Sequence, residues 1–139
     1  MPKAMDPAVR DRYLEKGFRL LGIRQGYAKC SAAIVSHHAV ITSDPSLAKA
    51  LPSIGVDCLS VSPGYVRLDG YAYGFLGGAC FLSSPHTLCF LGELSSHPDA
   101  QRIRAFCFRH NVETRSLLKG ELRDVGSVLP LYCRDPAGL

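Results

Sequence analysis

No apolar stretch in this 139-residue chain approaches the about 20 residues needed to cross a bilayer. The opening segment MPKAMDPAVRDRYLEK is too polar for the apolar core of a secretion signal, so no membrane partner and a cytoplasmic, reducing setting are expected. The six cysteines (Cys30, Cys58, Cys80, Cys89, Cys107 and Cys133) form no Cys-x-x-Cys pair and no paired Cys/His spacing. A metal site is therefore not expected, and most of these thiols read as small buried hydrophobes in runs such as TLCFL and RAFCF. Runs of one charge are also missing: 16 basic and 12 acidic residues are spread along the chain. Arg102, Arg104 and Arg109 cluster, but they fit the wet side of a helix, and nucleic acid is not expected as a partner. What remains is 47% hydrophobic and 20% charged, the balance of one globular domain able to bury a core.

The order of local signals is more informative than the composition. Three helices are expected to open at a proline and close at a residue that tolerates positive φ: Pro7 to Gly17, Pro45 to Gly55, and Pro98 to Asn111. Asp6, Asp44 and the Ser96–Asp99 segment stand ahead of them as candidate caps. Each terminator is followed by an apolar run of strand type: Phe18–Ile23, Val56–Val61 and Val112–Leu118. Before the second and third helices lie paired apolar runs around a polar turn, Ala32–Thr42 and Ala79–Leu91, which read as hairpins. The unit is strand–strand–helix–strand, twice complete and once reduced to its helix and last strand. The chain divides into a partial module (6–24), a module (30–62), a glycine-rich linker (63–78), a second module (79–118) and a C-terminal segment (119–139). A chain that starts halfway through a module is expected to be truncated or completed by another chain, and an uncovered sheet edge to self-associate.

The linker ends in LDGYAYGFLGGACF, Leu68 to Phe81. A phosphate cradle needs its glycines to run into a helix; here Gly77-Gly78 runs into a strand, and no Gly-Lys-Ser/Thr follows, so no nucleotide cofactor is expected. Gly74, Gly77 and Gly78 remain as turn formers or as places where backbone approaches something closely.

The repeated unit resembles the guanidino-group-modifying enzyme, or pentein, fold, in which five ββαβ units close around a pseudo-five-fold axis. The closer likeness is to an uncharacterised bacterial family assigned to that fold. It is carried by QGYAKCS (25–31), ITSD (41–44), SPGYVRLDGYAYGFLGG (62–78), SSHPD (95–99) and DVGSVLPL (124–131). The chain departs from that pattern at Cys80, Phe81 and Glu93. The resemblance implies an α/β (α+β) architecture: an incomplete α/β propeller of about two and a half of the five modules, matching the C-terminal half of a longer relative. It also implies a cysteine nucleophile, a histidine acid/base and carboxylates that grip a guanidine- or amidine-type small molecule. Cys30 beside Lys29 is then the nucleophile candidate, with Cys80 second, and His97 the acid/base. The bland alternatives are a buried thiol and a histidine that helps start a helix. Asp69, Asp124, Gly77 and Gly78 are the ligand-binding candidates. A non-catalytic ligand- or protein-binding member of the fold, or a fragment without activity of its own, are the competing readings.

Overall fold

The computed structural model describes residues 5–126 and 128; Cys133 and half of the DVGSVLPL segment lie outside them. Asp6 opens the first helix, α1 (Pro7–Glu15): its carboxylate accepts hydrogen bonds from the Ala8 and Val9 amides at 2.9 and 3.4 Å. A single turn, α2 (Ala28–Ser31), leads directly into β1 (Ala32–Ser36), which folds back antiparallel on β2 (Ala39–Thr42) through a turn at His37 and His38. Asp44 caps α3 (Pro45–Ala50) through the Ser46 and Leu47 amides, and a 3₁₀ turn at Leu51–Ile54 prolongs it to Gly55. The chain then returns as β3 (Asp57–Ser60), parallel to β2.

The second unit repeats the first in the same order. β4 (Cys80–Ser84) pairs antiparallel with β5 (Thr87–Phe90), α4 (Ala100–Arg109) crosses over, and β6 (Glu113–Ser116) lies parallel to β5. Register is shared as well. Ala39 faces Asp57 and Thr87 faces Glu113, and each hairpin carries its irregularity just before the turn. The architecture is therefore mixed α+β, with two three-stranded sheets of order β1-β2-β3 and β4-β5-β6. In each, the second hairpin strand is central. β2 is buried at all four positions and β5 at three of four, which is why these strands read as continuous apolar runs rather than alternating ones.

All three helical segments end alike. Gly17, Gly55 and Asn111 adopt φ of 77°, 81° and 58°. The next residue's amide then reaches back to close the last turn: Phe18 to the Tyr13 carbonyl (3.0 Å), Val56 to Leu51 (3.2 Å) and Val112 to Cys107 (2.9 Å). The helix expected first is thus a true counterpart of the other two.

Two expectations need correction. The run Phe18–Ile23 does not form a strand. β3 and β6 are strands because a hairpin lies beside them, and Phe18–Ile23 has no such ladder to join; propensity without a partner does not make a strand. The third expected helix, α4, opens at Ala100 rather than at Pro98, with Asp99 ahead of it and not in its first turn, and the Asp99 side chain does not cap it. His97 does that work instead, its Nδ1 accepting the Asp99 amide at 3.0 Å and its carbonyl accepting the Ala100 amide.

One core runs through both units. It includes Val35, Ile41, Leu88, Phe90, Leu94, Ile103 and Leu122, each at most 1% exposed. A fully buried side chain of this kind contributes about 1.5–3 kcal/mol. Polar contacts join the units at their rim. The β3 flank meets α4 through Asp57, whose Oδ2 lies 2.9 Å from His110 Nε2 and 3.6 Å from Arg109. Arg102 donates to the Ser60 carbonyl at 3.0 Å, and the Ser62 amide donates to Asp99 at 2.7 Å. One module earlier, Arg19 donates to the Ile54 carbonyl at 3.2 Å. No helix among the described residues is long and apolar enough to cross a membrane.

Candidate functional site

The double glycine of the linker is a point of close packing. Gly77 and Gly78 sit in a short 3₁₀ turn, and neither needs positive φ. A Cβ at Gly77 would run into the Ala32 and Cys30 carbonyls, and one at Gly78 into the Asp124 carboxylate. At Gly74 it would lie 2.5 Å from the Asp124 Cβ. Close backbone approach, the second of the two roles weighed from sequence, is the one these glycines serve.

What approaches is the segment after β6. The Arg67 amide donates to the Leu122 carbonyl, the Asp124 amide to Arg67 and the Val125 amide to Gly78, at 2.8, 2.8 and 3.0 Å. The Asp124 side chain, in a residue only 7% exposed, completes the stitch. Its Oδ2 accepts the Phe75 amide at 2.8 Å and its Oδ1 the Gly126 amide at 2.7 Å.

These segments wall a cleft of about 990 Å³. One side is Gln25, Tyr27 and Cys30, leading into and along α2; a second is Ser43–Pro45 at the start of α3. Leu68 and the run Tyr71–Phe75, without Gly74, form the third, and Asp124–Gly126 the fourth. Tyr27 stacks on Phe75 with ring centroids 6.2 Å apart, and Tyr71 and Tyr73 are largely free of other contacts. Cys30 donates its thiol proton to the Gly126 carbonyl at 3.1 Å. Asp44 uses Oδ1 for its cap and for the Ser46 hydroxyl (2.6 Å), and Oδ2 for the Gln25 amide nitrogen (2.8 Å). Burial alone would raise the Asp44 pKa. The bonds from the Ser46 hydroxyl, the Leu47 amide, Gln25 and the Ser46 amide outweigh it and hold the carboxyl below its ordinary value. Among the described residues no Lys or Arg lines the cleft and no ion pair involves Asp44 or Asp124. Two carboxylates therefore face an aromatic-walled space without a cation of their own.

The candidates read from sequence separate here. Cys30 and Asp124 line the cleft; Gly77 and Gly78 lie buried beneath it and serve its walls. Asp69 lies instead on a neighbouring polar hollow, where it pairs with Arg67 at 2.7 Å. His97 is 3% exposed, lies outside the cleft lining and sits edge-on to the Tyr65 ring. Burial lowers its pKa, outweighing the pull of Asp99 and the Ser62 backbone carbonyl, so the imidazole is neutral at physiological pH. Cys80 is buried in the core, and desolvation, with Cys107 beside it, pushes its thiol up to about 12. The second-choice nucleophile is thus a hydrophobe in effect. From the sequence Asp44 reads only as a helix cap, and Gln25, Tyr71, Tyr73 and Phe75 have no site role assigned. The signal that could have found them was the aromatic spacing inside the glycine-rich run and the QGYAKCS segment.

Thiol reactivity tests this placement. A thiol at about 12 carries about a thousandfold less thiolate at neutral pH than one at its ordinary value of 9.0. Burial likewise raises Cys107 to about 11, and burial with Asp57 nearby raises Cys58. With limiting iodoacetamide on the native protein, peptide mass mapping should show Cys30 modified first among the described cysteines, with Cys80 and Cys107 protected until denaturant is added. Early labelling of Cys80 contradicts the packing described.

The fold and cleft define an α+β protein of two ββαβ units with one aromatic, carboxylate-bearing cleft at the linker. Residues 1–129 match the model of a family of unknown function, DUF6873, and the chain belongs to that family. No curated protein and no solved structure matches it.

Proposed function

We propose that the cleft binds a small organic cation of the guanidine or amidine class. The observation that carries this reading is the pair of uncompensated carboxylates, Asp44 and Asp124, in a cleft walled by Tyr27, Tyr71, Tyr73 and Phe75. A carboxylate accepts the N–H fork of a guanidinium through charge-assisted bonds, and an aromatic face attracts a cation laid over it. Each carboxylate already accepts bonds that fix its orientation, so little order remains to be imposed when the ligand arrives. The repeated ββαβ unit with shared register supports placing this cleft in a pentein-like frame, of which the chain holds part.

Cys30 on the same wall supports a second reading, attack of its thiolate on the amidine carbon. Among the described residues no histidine lines the cleft to move the proton, which favours binding without turnover. Thermal shift and calorimetric titration with arginine, agmatine and methylated arginines test the binding reading. A saturable stabilisation is expected from at least one of them. Asp44→Asn keeps a competent helix cap but removes the charge, and should weaken that binding by about tenfold to a hundredfold. No shift with any of these cations, or binding indifferent to Asp44→Asn, overturns the proposal.

A further inference from the structure

β3 and β6 are equivalent strands with unequal surroundings. The flank of β3 is occupied within the chain: Asp57 meets His110 and Arg109 at the end of α4, and Arg102 takes the Ser60 carbonyl. The shared register puts Glu113 of β6 where β3 has Asp57, Ser116 where it has Ser60, and Leu117 where the chain has Val61. Val61 is 6% exposed, whereas Leu117 and its neighbour Leu118 are 45% and 55% exposed. Among the described residues Glu113 has no ion pair and no side chain takes the Ser116 carbonyl.

Among the described residues, the complementary half of this contact is exposed at α1. The residue before the left-handed turn is His110 in α4 and Lys16 in α1. α1 buries none of its residues, and Lys16 is exposed. An acidic strand flank and a cationic helix end are thus left over from a junction the chain makes at Asp57–His110 and, with different side chains, at Arg19–Ile54.

We propose that a second copy of this chain docks head to tail, with the Lys16 end of α1 on Glu113 of β6, covering Leu117 and Leu118. The contact is heterologous, so it yields either a closed ring or an open series of copies. It is independent of the cleft, since neither Lys16 nor Glu113 lines it.

Sedimentation velocity of the full chain over a concentration series is the experiment. Concentration-dependent association is expected, weakened by about tenfold in Glu113→Lys and in Lys16→Glu. Mixing the two variants in equal amounts should restore association in part, because each junction between unlike variants again joins opposite charges. Leu118→Ser, which installs the residue found at the equivalent position of the first unit, should weaken association without changing the circular dichroism spectrum. A wild-type chain that stays monomeric throughout, or association unmoved by both charge reversals, overturns the proposal.

Discussion

Gly77→Ala is expected to lower stability by about 3 kcal/mol, seen as a loss of about 10 °C in melting temperature. The added methyl meets the carbonyls of Ala32 and Cys30, which belong to the start of β1 and the turn before it. Neither is a flexible side chain that can swing aside, so the strand or the linker must shift, and the core shifts with it. Gly78→Ala makes an informative companion, because the atoms in its way belong to the Asp124 side chain. Asp124→Ala removes that obstacle. The double variant should therefore be less destabilised than the sum of the single ones, by about 1–2 kcal/mol in a double-mutant cycle. Gly64→Ala serves as the control. Its methyl meets nothing within 4 Å, and it should cost only the about 1–2 kcal/mol of a left-handed backbone at φ 94°. Equal losses at Gly64 and Gly77 in chemical denaturation would show that close approach is not what the double glycine provides.

The second large effect is expected at Asp99. Its carboxylate accepts the Ser62 amide at 2.7 Å and pairs with Arg102 at 2.7 Å, while Arg102 also holds the Ser60 carbonyl. The Ser62 amide first, then Arg102, depress the pKa from 3.8 to about 2. Since the folded value is the lower one, this stabilisation is fully present above about pH 4 and is lost as pH falls through about 2. Its size is about 1–2 kcal/mol, allowing for a side chain that still touches solvent. His97 adds a separate loss at higher pH. Its folded pKa lies below 6.5, so acid favours the unfolded chain from about pH 6.5 downward. Urea midpoints measured from pH 8 to pH 2 should fall in two stages, and Asp99→Ala should shrink the lower stage, leaving the part contributed by Asp44, which is also held below its ordinary value. The same substitution leaves the Ser62 amide and Arg102 without their acceptor, at a cost of about 2 kcal/mol at pH 7. An unchanged profile below pH 4 in Asp99→Ala contradicts the bond assignments.

The parts of this fold legible in the sequence are those fixed by local chemistry. Proline after aspartate set the start of two helices, and glycine or asparagine ten or more residues later set the end of all three expected helices, because φ preferences and orphan amides are settled within one turn. Hairpins announced themselves through apolar runs around His37-His38 and Pro85-His86. The fate of Phe18–Ile23 was not legible, because a parallel strand depends on a neighbour that local propensity does not report. Asp99 reads as an ordinary helix-start acid until Ser62, 37 residues away, takes its carboxylate. The cleft was half legible. Cys30 and Asp124 are legible as candidates, yet the bond that closes the cleft spans 96 residues of chain, from the Cys30 thiol to the Gly126 carbonyl. His97 was named with Cys30 because both lie in family-like segments, and nothing in one dimension says that one lines the cleft and the other is sealed under Tyr65.

The stitching of Asp124 to Phe75 and Gly126 to Cys30 fixes when the cleft can exist during synthesis. Three of its walls leave the ribosome long before the fourth. A nascent chain halted near residue 118 carries both ββαβ units but lacks the Asp124 carboxylate and the Gly126 carbonyl that close the space, so the cleft is complete only once the chain through Gly126 has emerged.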